Sequence, residues 1–80
     1  MYAVYVLYSE KHSKHYTGYT SDLAKRLKSH NEKGIKGWTV RYRPWKLIYT
    51  KTFADKREAM NYERWLKSGT GRIFIKEIEH

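Results

Sequence analysis

The segment HYTGYTSDLAKRLKSHN, residues 15–31, contains the change of pattern that decides the fold. Its first residues favour a β-strand, because tyrosine and threonine suit a pleated, half-buried surface. The rest predicts a helix to about Asn31, with Thr20 or Ser21 as its N-cap and Asp22 in its first turn, where a carboxylate suits the helix dipole. Gly18 interrupts the strand, which indicates a bulge, a bend or a place where another group approaches the backbone closely.

Apolar patterns on both sides of this segment predict further strands and helices. The predicted strands are 2–8, 15–20 and 45–53, and the helices after the first are 56–68 and 72–78. Both faces of the first strand are apolar, which indicates a central or doubly covered strand. Asp55 is the predicted N-cap of the second helix, and Gly69 its predicted end. The order ββα-β-αα predicts one α+β domain over residues 1–80, with a small three-stranded antiparallel sheet flanked by helices.

The charge balance is strongly basic, since 17 lysines and arginines against 8 aspartates and glutamates give a net charge of +9 over 80 residues. Such a field attracts polyanions, of which nucleic acid is the commonest in a cytoplasm, although a basic surface also serves solubility alone. The absence of cysteine excludes disulfides, thiolate zinc sites and cysteine nucleophiles. No apolar run reaches the roughly 20 residues of a membrane span. The chain start also lacks a secretion signal, so we expect a soluble cytoplasmic protein.

Polar side chains stand on helix faces that should be apolar. In the first helix Leu23 and Leu27 mark the side that meets the sheet, and the next position on that side is His30. Arg26 flanks the same stripe, three residues after Leu23. A purely structural helix would carry leucine or alanine at these two positions. The first helix therefore directs candidate functional residues toward the sheet.

The second helix repeats this pattern at Glu63, which lies four residues after Ala59 and three before Leu66 on the predicted inner face. A carboxylate on such a face is paired, protonated or bound to a metal, because an unpaired buried charge is very costly. Two interpretations remain open at this stage. One is an ion pair with Arg26 or Lys67, and the other is a ligand for Mg²⁺ or Mn²⁺, which prefer carboxylate oxygen.

Two tyrosines extend the set of candidates. Tyr5 and Tyr16 lie on adjacent strands of the predicted hairpin, and each can present its hydroxyl on the side of the helices. A single buried tyrosine is usually a core residue with a hydrogen bond at its tip. Together with Arg26, His30 and Glu63, however, the two phenols form a coherent chemical set. It comprises a carboxylate for a metal, a guanidinium for phosphate oxygen, and weak bases that orient or deprotonate water.

The spacing of these residues resembles the GIY-YIG nuclease domain over nearly the whole chain. The motifs that carry the resemblance are VYVLYS, YTG with its tyrosine eleven residues after Tyr5, R-x-x-x-H-N at 26–31 and A-x-x-x-E at 59–63. They are most similar to the small stand-alone members, which resemble the nuclease domain of the bacterial excinuclease. The resemblance implies cleavage of phosphodiester bonds in DNA with one divalent metal ion, Mg²⁺ or Mn²⁺. The site residues that it implies are catalytic Tyr5, Tyr16, Arg26, His30 and Glu63, with Glu63 as metal ligand and Gly18 as the glycine of the second signature.

Two features of the sequence depart from the family pattern. VYV replaces the literal GIY, which leaves the tyrosine intact, and Tyr19 stands where some relatives have lysine, which removes a cation near the phosphate. Gly18 has an explanation in this setting, because we expect a side chain there to block the approach of the phosphodiester backbone. The sequence leaves open whether Tyr5, Tyr16 or His30 activates water.

Substrate recognition is expected to rest on the basic connector after the first helix, since 80 residues leave no room for a separate DNA-binding region. The predicted nucleic-acid-binding residues are Lys33, Lys36, Trp38, Arg41, Tyr42 and Arg43. Two of them are aromatic and can stack on exposed bases, which favours branched or single-stranded DNA over a specific sequence and leaves RNA open. The competing hypotheses are a non-catalytic nucleic-acid-binding module, a subunit of a larger DNA-processing complex and a protein-interaction adaptor.

Overall fold

The computed structural model describes residues 1–28 and 44–78 and has an α+β fold. The elements are β1 (Tyr2–Ser9), β2 (Lys14–Thr20), α1 (Leu23–Lys28), β3 (Lys46–Phe53), α2 (Lys56–Leu66) and α3 (Gly69–Ile78). The strands form one antiparallel sheet in the order β2-β1-β3. The predicted fold class and element order are therefore confirmed. No helix in the described ranges combines the length and the hydropathy of a membrane span.

The central position of β1 follows from its sequence, because alternate side chains of this strand are apolar on both faces. One face carries Val4 and Val6 and the other carries Tyr5 and Leu7, and none of the four is more than 1% exposed. The valines pack against three residues of α2 and α3: Ala59, Leu66 and Ile75. The second pair packs against a tryptophan before β3 and two leucines of α1: Trp45, Leu23 and Leu27. The sheet is thus covered by helices on both sides.

The start of α1 differs from the prediction by one or two residues. Asp22 is the N-cap, since its Oδ1 accepts a hydrogen bond of 3.1 Å from the backbone N–H of Lys25. The hydroxyl of Thr20, which was predicted to cap the helix, instead accepts the N–H of Asp22 at 3.1 Å. Thr20 therefore closes the turn between β2 and α1, and Ser21 is not the cap either. The predicted end of this helix lies outside the described residues.

The N-terminus of α2 agrees with the prediction. Asp55 has extended backbone angles, φ −111° and ψ 135°, and its side chain accepts the N–H of Arg57 at 3.1 Å. This is the geometry of an N-cap, in which a side-chain oxygen satisfies one of the first free N–H groups of the helix. The cap fixes where α2 starts and therefore which of its side chains face the sheet.

The prediction that Gly69 ends the second helix is wrong. Helix α2 ends at Leu66, and Gly69 is the first residue of α3. The physical reason is Ser68, whose carbonyl accepts the N–H of Arg72 at 2.9 Å and whose hydroxyl accepts the N–H of Gly71 at 3.4 Å. Ser68 is therefore the N-cap of α3, which begins three residues earlier than predicted, directly after α2.

Candidate active site

The predicted catalytic residues of the described ranges line one open cleft of about 500 Å³. They come from four different elements: Tyr5 from β1, Tyr16 and Gly18 from β2, Arg26 from α1 and Glu63 from α2. The fold thus brings together side chains that are up to 58 residues apart, from Tyr5 to Glu63. The other predicted site residues lie outside the described residues: His30, Lys33, Lys36, Trp38, Arg41, Tyr42 and Arg43.

Gly18 makes room for the Tyr5 phenol. The two residues are directly opposite each other in the β1–β2 register. A Cβ atom built on Gly18 would lie 2.8 Å from the Tyr5 hydroxyl oxygen, 3.0 Å from its Cζ and 3.1 Å from Cε1 of Tyr16. All three distances are shorter than ordinary contacts between carbon and its neighbours, about 3.5–4.0 Å. The glycine is therefore required by the two phenol rings themselves, while its role in the approach of a phosphodiester backbone stays a prediction.

The Tyr5 hydroxyl is held in its protonated form. The residue is 1% exposed, and burial raises the pKa of its phenol well above the ordinary value. The neighbouring Tyr16, whose ring centroid is 6.2 Å away, raises the pKa of Tyr5 further, the Arg26 guanidinium lowers it, and the Glu63 carboxylate raises it. Because desolvation is the largest of these effects, Tyr5 remains a neutral hydrogen-bonding group at neutral pH.

Arg26 is positioned by the anchoring of α1. Leu23 and Leu27 are half-buried against the cluster that contains Tyr5, and Asp22 fixes the start of the helix. Arg26 itself is exposed, but it lines the cleft and is close enough to act on the pKa of Tyr5. A guanidinium placed in this way offers several N–H donors to an anion entering the cleft.

Glu63 is positioned by the anchoring of α2. Ala59 and Leu66 are completely buried and hold the inner face of the helix on the sheet. The Glu63 side chain is 20% exposed, and its Oε2 lies 3.4 Å from Nζ of Lys67, whose side chain is 56% exposed. Of the two predicted ion pairs, the structure contains the one with Lys67. Because the lysine is largely solvated, this pair contributes little to stability.

One carboxylate at the wall of the cleft is compatible with a hard divalent cation. The described residues contain no group of three or more histidine, cysteine, aspartate or glutamate side chains that would enclose a metal ion. Magnesium is commonly bound by one or two carboxylates, with water and substrate phosphate oxygens as its other ligands. Glu63 in an open cleft suits this mode of binding and does not suit a closed structural metal site.

The cleft is also lined by residues that were not among the predicted site residues. They are Tyr2, Tyr19, Thr20, Ser21 and Lys56. Lys56 is the most informative of them. Because Tyr19 stands where some relatives have lysine, the sequence predicted that a cation near the phosphate would be missing. Lys56 places a cation on the wall of the cleft. It lies seven residues before Glu63, and residues seven apart share one face of a helix, so this spacing was the available signal.

Comparisons with known proteins identify the family of this chain. The sequence profile of the GIY-YIG catalytic domain matches residues 1–76. The UPF0213 protein YazA of Bacillus subtilis is 47% identical over 66 residues, which cover 78% of this chain and 66% of YazA. The UPF0213 protein CPE1444 of Clostridium perfringens is 40% identical over 67 residues, which cover 84% of this chain and 71% of that protein. The chain spans about two thirds of the length of the curated relatives that it matches.

A solved structure supports the fold. The solution NMR structure of the UPF0213 protein BH0048 from Bacillus halodurans has a TM-score of 0.57 and 30% sequence identity, covering 99% of this chain and 86% of that one. The names of these relatives state no activity, whereas the matched domain suggests a nuclease and hence a nucleic-acid substrate. The profile match covers nearly the whole chain, and the chain belongs to the GIY-YIG family.

Proposed function

We propose that this protein is a divalent-metal-dependent endonuclease that hydrolyses phosphodiester bonds in DNA, selecting its substrate by structure rather than by sequence. The observation that carries the proposal is the convergence of Tyr5, Tyr16, Arg26 and Glu63 on one open cleft, in a chain whose residues 1–76 match the GIY-YIG catalytic domain. A family match alone would leave the activity unsupported, because a fold does not determine a function.

Each described side chain has a role that its chemistry and surroundings favour. Arg26 binds the scissile phosphate and stabilises the negative charge that grows on it in the transition state. Lys56, which also lines the cleft, adds a second cation for the phosphate. Tyr5 is buried, protonated and hydrogen-bonded to Tyr16, so its role is to hold the Tyr16 phenol in position at the cleft.

Glu63 is the proposed ligand for Mg²⁺ or Mn²⁺. A cation bound there would supply Lewis-acid stabilisation of a phosphate oxygen and of the leaving oxygen. The contact between Glu63 and Lys67 is compatible with this role, because an exposed lysine costs little to displace.

The proton of the attacking water must go to a base as the new phosphorus–oxygen bond forms and the bond to the leaving oxygen breaks. The raised pKa of Tyr5 makes it a poor acceptor, since its phenolate is strongly disfavoured by burial. We therefore assign the proton-accepting role to Tyr16 or to His30, the second of which lies outside the described residues.

The proposed substrate is branched or single-stranded DNA, with RNA as an alternative that the chemistry of the cleft does not exclude. The six predicted binding residues at 33–43 are proposed to contact the same strand. Stacking on aromatic side chains requires unpaired bases, which is why a structured or single-stranded substrate is favoured over an intact duplex.

The proposal is tested by incubating labelled branched, single-stranded and duplex DNA with the protein in Mg²⁺, Mn²⁺ or EDTA. Glu63→Gln removes the proposed metal ligand, and we expect cleavage to fall by at least about 10²–10³-fold. Glu58→Gln is the matched control, because Glu58 is an exposed glutamate of the same helix that does not line the cleft. Salt-sensitive binding without cleavage in any metal would instead support a non-catalytic nucleic-acid-binding module.

A further inference from the structure

A second cleft of about 630 Å³ adjoins the candidate active site and shares Tyr16 with it. It lies between β2 and α3, and we call it the α3 groove. Its lining residues are His15, Tyr16, Thr17, Leu66, Lys67, Arg72, Ile73, Ile75 and Lys76. None of the sequence predictions placed a functional residue on α3.

The α3 groove is positively charged. Lys67, Arg72 and Lys76 line it, and no acidic residue is among the described residues of its wall. Arg72 and Lys76 are four residues apart on α3 and therefore project from the same face of the helix. Lys67 also lies 3.4 Å from Glu63, so the cationic surface reaches the wall of the active-site cleft.

The α3 groove also offers apolar surface beside these cations. Ile73 is 62% exposed, which is unusual for a large aliphatic side chain at the mouth of a charged groove. Leu66 and Ile75 are buried and form the apolar floor. Cations beside apolar contacts suit a nucleic-acid strand, since phosphates require positive charge while sugars and unstacked bases present apolar faces.

We propose that the α3 groove binds the single strand of nucleic acid that flanks the scissile phosphate, with Arg72, Lys76 and Lys67 on its phosphates and Ile73 against a sugar or base. This inference rests on the proposed function, because it takes the strand to continue from the catalytic cleft past Tyr16. It explains how a domain of this size gains affinity beyond the few contacts around one phosphate.

The proposal predicts a specific salt dependence. Each phosphate contact on a single strand contributes about 0.7 to the slope of log K against log salt. Arg72→Gln/Lys76→Gln should therefore lower the magnitude of this slope by about 1.4. Between about 50 and about 200 mM salt, the affinity of the unmodified protein should then fall about sevenfold more than that of the double variant.

The experiment measures binding of a fluorescent single-stranded DNA of ~12 nucleotides in EDTA, where no cleavage occurs. Arg57→Gln/Arg64→Gln is the matched control, since it also removes two positive charges from exposed positions, both of which line a different cleft. We expect an unchanged slope in the control and a reduced slope in the groove variant. Equal slopes in the two variants would overturn the proposal.

Two further measurements keep the test independent of folding and of catalysis. Circular dichroism melting shows whether each variant is folded, and amide NMR shifts on adding the oligonucleotide should concentrate at Arg72, Ile73 and Lys76. Shifts confined to the active-site cleft would overturn the groove assignment while leaving the nuclease proposal intact. Groove-dependent binding by a protein that cleaves nothing in Mg²⁺ or Mn²⁺ would instead support the groove and contradict the nuclease.

Discussion

Gly18→Ala tests the idea that the space beside the Tyr5 phenol maintains the geometry of the site. The new Cβ would lie 2.8 Å from the Tyr5 hydroxyl oxygen. Relief of this overlap requires a displacement of about 0.7 Å, if ordinary contact begins at about 3.5 Å. Because Tyr5 is 1% exposed, its ring has no free solvent to swing into, so the ring and the strands must shift together.

The cost is estimated from two opposing effects. Overpacking of a well-filled region costs about 1–3 kcal/mol. Replacing glycine by alanine also stabilises the folded state by about 0.4–1 kcal/mol, because alanine restricts the unfolded chain more than glycine does. We therefore expect a net loss of about 1–2 kcal/mol in the free energy of unfolding, and a Tm lower by about 5–15 °C. A shift of the phenol by about 0.7 Å should slow cleavage by about 10–10²-fold.

The assay combines single-turnover cleavage with thermal unfolding. Gly69→Ala is the control, because a Cβ at that position would meet nothing within 4 Å apart from its chain neighbours and the backbone of its own helix. It should leave the cleavage rate unchanged and raise the free energy of unfolding by about 0.4–1 kcal/mol, since it restricts the unfolded chain without a clash. Tyr5→Phe removes the closest clashing atom, so Gly18→Ala should cost less stability in that background than alone. A Gly18→Ala protein with the original Tm and cleavage rate would refute the reasoning.

Three further predictions follow from the structure. Lys56→Gln should slow cleavage about tenfold, because it removes a cation that lines the cleft. Lys46 is an exposed lysine that does not line the cleft, so Lys46→Gln should leave the rate unchanged, and equal rates for the two variants would show that Lys56 has no role in cleavage. Because folding raises the pKa of Tyr5, the phenol loses its proton at a lower pH in the unfolded chain than in the folded protein. The stabilisation that the buried, protonated phenol provides is therefore present below about pH 10 and is lost as the pH rises further. The Tm should accordingly fall less steeply above about pH 10 in Tyr5→Phe, and parallel curves would contradict the burial argument. Gly71→Ala should lower the free energy of unfolding by about 2 kcal/mol or more in urea titrations, because its Cβ would overlap the backbone at the end of α2; a Gly71→Ala protein as stable as the unmodified protein would refute this.

Local sequence was sufficient to predict the order of the elements and several of the residues that line the cleft. The two apolar faces of β1 predicted a central strand, and the structure confirms it. Glu63 stood out because a carboxylate on the inner face of a helix needs a partner or a function, and it does line the cleft. Asp55 was predicted as a cap because the N–H groups that it satisfies are a few residues away. In each case the prediction rests on residues a few positions apart or on the regular spacing of apolar residues along one strand or helix.

The errors at helix ends have a different cause. Thr20, Ser21 and Asp22 are all acceptable N-caps, and the choice of Asp22 depends on the turn that joins β2 to α1. Gly69 resembles a helix terminator, but Ser68 starts a new helix there instead. In both places the sequence allows two local conformations of similar free energy, and the packing of the next helix or strand determines which one forms.

Sequence alone thus determined the order of the strands and helices, the excess of positive charge and most of the polar residues that stand on inner faces. Tertiary structure decided why Gly18 must lack a side chain, that Lys56 joins the cleft, and that Arg72 and Lys76 on α3 face a groove beside it. The physical reason is the range of the interactions. Periodicity and capping depend on residues a few positions apart, whereas the pKa of a phenol and the walls of a cleft depend on groups that only the packing of helices on the sheet brings together.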